Sequence, residues 1–162
     1  MSEPAEARQP ADLLFQRAYA QQMAGNWADA ILLYQNSIAV YPTAEAHTFL
    51  GWTYSFLGRY EDAIEECRRA IAIDPSFGNP YNDIGAYLIE LDRPREAIEW
   101  LRQATAAPRY EAPHFPLVNL GRAYEQVGPW HEAVRCYRQA IEMRPDYEEA
   151  QQRLRALLAR MN

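Results

Sequence analysis

Four alanines stand at nearly equal intervals along the chain: Ala30, Ala63, Ala97 and Ala133, in steps of 33, 34 and 36 residues. Twelve positions before each lies another small residue, Ala18, Gly51, Gly85 or Gly121. Each stretch closes near a proline, Pro42, Pro75, Pro108 or Pro145, and the last two copies add Ala104 and Ala140. A period near 34 with this punctuation implies stacked two-helix hairpins, because one such unit cannot bury its apolar face alone. The expected fold is therefore an all-α solenoid.

The spacing of turn signals divides the chain into helices. Gly25-Asn26 separates helices expected over 12–24 and 27–40, and Gly58 separates 45–57 from 60–73. Asp92-Arg93-Pro94 parts 80–91 from 94–106, with proline suited to the first turn of a helix. Gly128-Pro129 parts 115–127 from 130–143. The hairpins thus cover about 11–43, 44–77, 78–113 and 114–147. A last helix from residue 146, with Leu154, Leu157, Leu158 and Met161 on one stripe, makes 148–162 a C-terminal capping helix. Residues 1–10 are polar and are expected to be a disordered tail.

Within each hairpin the small residues mark close helix crossings, and bulky ones fill the gaps beside them: Tyr54, Leu88 and Tyr124, then Tyr34, Leu101 and Tyr137. The junction 107–113 is two residues longer than its counterparts and carries Pro108 and Pro113. It is expected to be a stiff, extended loop that changes the stacking angle of the third and fourth hairpins.

Composition removes several functions. All 16 basic residues are arginine, so chemistry that needs a lysine amine is absent. The net charge of −6, with acids and bases interleaved, gives no basic stripe for nucleic acid. Cys67 and Cys136 are 69 residues apart and read as small buried thiols. His47, His114 and His131 have no cysteine at ligand spacing, so no metal site is expected. No arrangement of nucleophile, histidine and acid, and no glycine-rich phosphate loop, points to catalysis or to a cofactor. Glu61, Asp62, Glu65 and Glu66 read as a solvated helix face. No apolar run is long enough to span a bilayer, and 1–10 lacks the basic start and apolar centre of a signal peptide. Membrane insertion is not expected, and the expected location is cytoplasmic.

The repeated residues resemble the tetratricopeptide repeat family. The fourth copy carries the resemblance most fully: Leu120, Gly121, Tyr124, Gly128, Trp130, Ala133, Tyr137, Ala140, Pro145. The second has Leu50, Gly51, Tyr54, Gly58, Tyr60, Ala63, Ala70 and Pro75; the third lacks the turn glycine, and the first begins with a weak first helix. The resemblance implies a right-handed superhelix of four hairpins whose first helices line a concave groove. It also implies a non-catalytic scaffold or adaptor that binds a partner peptide or helix there.

On the first helices, the positions not needed for hairpin packing define a candidate groove: Phe15, Tyr19, Trp52, Phe56, Asn82, Arg122 and Glu125. Phe15, Tyr19, Trp52 and Phe56 form its aromatic end, where exposed ring area would anchor a partner. The alternative is that these rings pack between hairpins or lie under the N-terminal tail. Asp12, Glu45, Asp83, Glu90 and Glu125 make the groove acidic and favour a partner with apolar and basic side chains. The carboxylate-gripping members of the family use lysines, whereas this chain places Phe15, Tyr19, Phe49, Asn79 and Asp83 there. A structural subunit that forms a homo-oligomer or sits in a larger assembly is the alternative function.

Overall fold

A computed structural model of the chain describes residues 3–162. Among these it holds nine α-helices and no strand: α1 (Glu3–Met23), α2 (Trp27–Val40), α3 (Ala44–Phe56), α4 (Tyr60–Ile73), α5 (Asn79–Glu90), α6 (Pro94–Ala106), α7 (His114–Val127), α8 (Trp130–Met143) and α9 (Glu148–Met161). They fall into two compact units, one ending at Pro75 with α1–α4 and one from Ser76 with α5–α9. No helix among the described residues is long and apolar enough to cross a membrane.

In the first unit α1 packs on α2, α2 on α3 and α3 on α4. Its core is lined by Ala18, Ala30, Tyr34, Leu50, Ala63, Cys67 and Ala70. The expected tail needs correcting here. Residues 3–10 are not a separate segment but the first two turns of α1, which carries Pro10 inside it. Pro4 suits a first turn, and the Glu, Ala, Arg and Gln that follow are good helix formers. Ala11 is buried, and its carbonyl accepts the Ser37 hydroxyl at 2.8 Å, which ties this stretch to α2. Met1 and Ser2 lie outside the described residues.

The second unit pairs α5 with α6 and α7 with α8, and α9 packs on α8. The close crossings are where the small residues stand. A Cβ added to Gly85 would lie 2.4 Å from Leu101 Cγ, and one on Gly121 would lie 2.4 Å from Tyr137 Cε1. Glycine there lets a large side chain of the second helix fill the crossing to native density. Cys67 and Cys136 are buried and stand outside any disulfide, as the spacing implies.

Three of the four hairpin turns share one backbone device. Asn26 N donates to Gln21 O at 2.9 Å, Arg59 N to Tyr54 O at 3.0 Å and Arg93 N to Leu88 O at 2.8 Å. Each closes a helix C-terminus with a bond spanning five residues, and the residue just before the donor adopts positive φ. That residue is Gly25 (φ 79°), Gly58 (φ 69°) or Asp92 (φ 57°). Asp92 therefore replaces the missing glycine in the same conformation, which its short polar side chain tolerates. The fourth turn departs from the pattern because Pro129 occupies the donor position and has no N–H. Gly128 instead sits at φ 122° and donates to Tyr124 O at 2.9 Å.

The long junction pairs with the segment ahead of α5. Gly78 N donates to Arg109 O and Arg109 N to Ser76 O, both at 3.0 Å, around a parallel bridge of Phe77 and Arg109. The Arg109 guanidinium lies over the Phe77 ring, 4.2 Å from its centroid. The two added residues thus give the loop backbone partners of its own. The last helix begins at Glu148, two residues later than expected, and buries Ala150 and Leu157.

Candidate functional site

The seven expected groove residues divide between the two units. Phe15, Tyr19, Trp52 and Phe56 belong to the first, and Asn82, Arg122 and Glu125 to the second.

In the first unit the rings form one continuous row. Phe15 and Tyr19 of α1 meet Phe49 of α3 edge-on at centroid distances of 5.2 and 5.8 Å. Phe49 meets Trp52 at 5.7 Å, Trp52 meets Phe56 at 5.4 Å, and Phe56 stacks on Trp27 at 4.5 Å. Edge-to-face and offset pairs at these separations add to what the buried area contributes. The inner side of the row rests on Tyr34, whose ring is 5.5 Å from Phe15. The outer side faces solvent: Tyr19 is 43%, Trp52 36% and Phe56 47% exposed. The row is held by packing within its own unit and still presents contiguous aromatic surface.

Phe49 is its centre and Trp27 its far end, and neither stood in the expected cluster. Phe49, Trp52 and Phe56 follow i, i+3, i+7 on α3, so the stripe is readable from periodicity. Trp27 comes from the start of α2, where helix periodicity on the first helices gives no signal.

Behind Tyr34 is a buried polar pair. Its hydroxyl donates to Gln22 Oε1 at 2.6 Å, and desolvation raises the phenol well above its ordinary range. Gln22 Nε2 is buried with no hydrogen-bond partner among the described residues.

The second unit presents a polar chain. Asn119 Nδ2 donates to Asn82 Oδ1, Arg122 Nη1 to Asn119 Oδ1, and Arg122 Nη2 to Glu90 Oε1, each at 3.0 Å. Asn82 is buried in this chain, so it braces α5 against α7 and does not lie open as the sequence reading placed it. Asn119, missing from the expected set, is the link. Glu125 is also engaged: it accepts the Tyr137 hydroxyl at 2.5 Å and Arg160 Nη1 at 3.2 Å. Arg160 in turn lies 4.7 Å from the Trp130 ring centroid, so Glu125 fastens α9 to the fourth hairpin.

Asp83 differs from these neighbours. Its carboxylate accepts the Asn82 amide at 3.4 Å, and among the described residues it forms no ion pair. Desolvation pushes its carboxyl up to about 7, with Asn82 pulling the other way. The Tyr110 phenol is raised first by its own desolvation and then by the Asp83 charge. Tyr110 also walls a cavity of about 250 Å³ with Phe77, Asn79, Arg109, Glu111 and Ala112.

Residues 12–44, 44–77 and 117–151 each match the tetratricopeptide repeat family. Together they cover more than half of the chain. The protein belongs to the tetratricopeptide repeat family. Among curated proteins the chain is similar to the TPR repeat-containing thioredoxin TTL4 of Arabidopsis thaliana, 24% identical over 98 residues. That stretch is 60% of this chain and 13% of that protein, so the chain spans about an eighth of the relative's length. Among solved structures, it resembles PilF of Pseudomonas aeruginosa, with a TM-score of 0.88 and 23% identity over 98% of this chain and 70% of that one. It also resembles PilW, a type IV pilus biogenesis factor, with a TM-score of 0.85 and 22% identity over 92% and 69% of the two chains. At these identities the likeness establishes the fold, an all-α tetratricopeptide repeat solenoid. In repeat terms, the aromatic row lies on the first helices of repeats one and two with Trp27 of the second helix of repeat one at its end, and the polar chain on the first helices of repeats three and four.

Proposed function

We propose that the protein is a non-catalytic scaffold that docks a segment of a partner protein on the aromatic row of its first unit. The observation that carries this reading is the exposure of Tyr19, Trp52 and Phe56 while Phe49 and Tyr34 hold them in place. Preorganised aromatic side chains lose little conformational entropy on binding and are favoured anchors of protein interfaces. Membership of the repeat family supports a binding role, and the acidic groove residues favour a partner carrying apolar and basic side chains. PilW's role as a type IV pilus biogenesis factor is in keeping with a place in an assembly. The test is affinity capture from the native extract with the wild-type chain and with Trp52→Ala/Phe56→Ala. A partner retained by the first and lost by the second, with helical circular dichroism unchanged, supports the reading. Equal retention by both sinks it.

A second reading, self-association, is favoured by α2. Its outward position Leu32 is 57% exposed, where the corresponding positions of α4, α6 and α8 carry Glu65, Glu99 and Arg135. Asp29 is the sole charged residue of α2. Sedimentation equilibrium of the wild type and Leu32→Glu separates the readings, since a dimer built on α2 dissociates in the variant.

A further inference from the structure

We propose that Asp83, with Asn79 one turn before it and Tyr110 across from it, forms a subsite for a guanidinium group of a bound protein segment. The proposal rests on the reading of the protein as a binder of protein segments. It uses a different unit from the aromatic row, so the two stand or fall separately.

Three observations converge here. Asp83 is a half-buried carboxylate with no ion-pair partner among the described residues, unlike Glu90 and Glu125 of the same unit. Glu90 has Arg122, and Glu125 has Arg160 and Tyr137. The nearby cations are engaged elsewhere: Arg122 by Asn119 and Glu90, Arg109 by the Phe77 ring. A desolvated carboxylate without a cation is costly, and an incoming cation with hydrogen-bonding geometry relieves that cost.

The second observation is the room at the start of α5, one helical turn before Asp83. The 250 Å³ cavity is bounded by Asn79, which shares a face of α5 with Asp83, and by Tyr110. The third is how the long junction is fixed. Its backbone pairing with Ser76 and Gly78 holds Tyr110 over the start of α5, where a Cβ on Gly78 would lie 2.7 Å from Tyr110 Cβ. The extra residues of this junction thus supply an aromatic wall. A planar guanidinium can lie on that phenol face while its N–H groups donate to the Asp83 carboxylate, with Asn79 Oδ1 as a further acceptor. An ammonium group offers neither the flat face nor the paired donors, so the site selects arginine over lysine.

The test is an amide-resolved NMR titration of the full chain with N-acetyl-arginine N-methylamide at millimolar concentrations. N-acetyl-citrulline N-methylamide serves as the uncharged isostere and the corresponding lysine compound as the ammonium control. Saturable shifts confined to 79–83 and 109–112 are expected, with citrulline inert and lysine weaker. Asp83→Asn, which preserves shape, should bind the arginine probe about tenfold or more weakly. Trp52→Ala/Phe56→Ala should bind it as the wild type does, which distinguishes this subsite from the aromatic row. Absence of saturable shifts, equal binding by Asp83→Asn, or equal response to citrulline would overturn the proposal.

Discussion

The Tyr34 hydroxyl donates to Gln22 Oε1 at 2.6 Å, and Tyr137 makes the same twelve-residue bond to Glu125 Oε1 at 2.5 Å. Repeats one and four thus join their two helices with a buried phenol and a side-chain acceptor. Repeat three fills the equivalent places with Ile89 and Leu101, both buried and apolar. The polar pair in repeat one comes with an unpaired Gln22 Nε2. Tyr34→Phe should cost about 1–3 kcal/mol, because it leaves the Gln22 oxygen unpaired as well. Tyr34→Phe/Gln22→Leu should recover most of that loss, since an apolar pair needs no partners. Urea unfolding of both variants checks this, and a double variant no more stable than Tyr34→Phe contradicts it.

Gly85→Ala should destabilise the second unit by about 1–3 kcal/mol, through overpacking against Leu101. Gly58→Ala, whose added Cβ meets nothing within 4 Å, should lose only the cost of its positive φ, about 1 kcal/mol. Thermal unfolding followed by circular dichroism ranks the two. A larger loss at Gly58 would contradict the crossing geometry.

Asp92→Gly should raise stability by up to about 1 kcal/mol, because Asp92 holds the left-handed conformation that glycine takes at two of the other three turns. A denaturation midpoint that falls in the variant would show that the Asp92 side chain contributes more than its backbone costs.

Asp83 also gives the fold a pH dependence with a definite sign. Its carboxyl titrates near 3.8 when unfolded and is pushed up by burial to about 7 in the fold, with the Asn82 amide donating to it and its charge in turn raising Tyr110. The native state therefore prefers the protonated acid. Its contribution is complete below the unfolded value and is lost as pH rises through about 7. Asp83→Asn should match the wild type at pH ~4, near the unfolded value, and should exceed it at pH ~8, well above the folded one, by about 2–4 °C in Tm for each kcal/mol relieved. A variant that gains equally at both pH values would contradict the assignment.

The helix boundaries were largely legible because their causes are local. Glycine at positive φ, proline at first turns and alanine at crossings act through backbone sterics, which sequence states directly. Asp92 was harder to place, since it does a glycine's work without being one. The two turns of α1 before Ala11 are not legible, because polar composition and Pro10 resemble a tail. Their anchor, the bond from Ser37 to the Ala11 carbonyl, joins residues 26 apart. The candidate site shows the same division. The aromatic stripe of α3 follows helical periodicity, whereas the burial of Asn82 depends on Asn119, 37 residues away. The pairing of the long junction with Ser76 and Gly78 is likewise non-local and gave no sequence signal beyond its length.

The central claim is that the aromatic row is the docking face. Hydroxyl-radical footprinting of the protein free and bound to its captured partner tests it most directly. The account predicts that Tyr19, Trp52 and Phe56 lose reactivity on binding while Leu32 and Met143 keep theirs. Undiminished labelling of the three aromatics in the complex would contradict it.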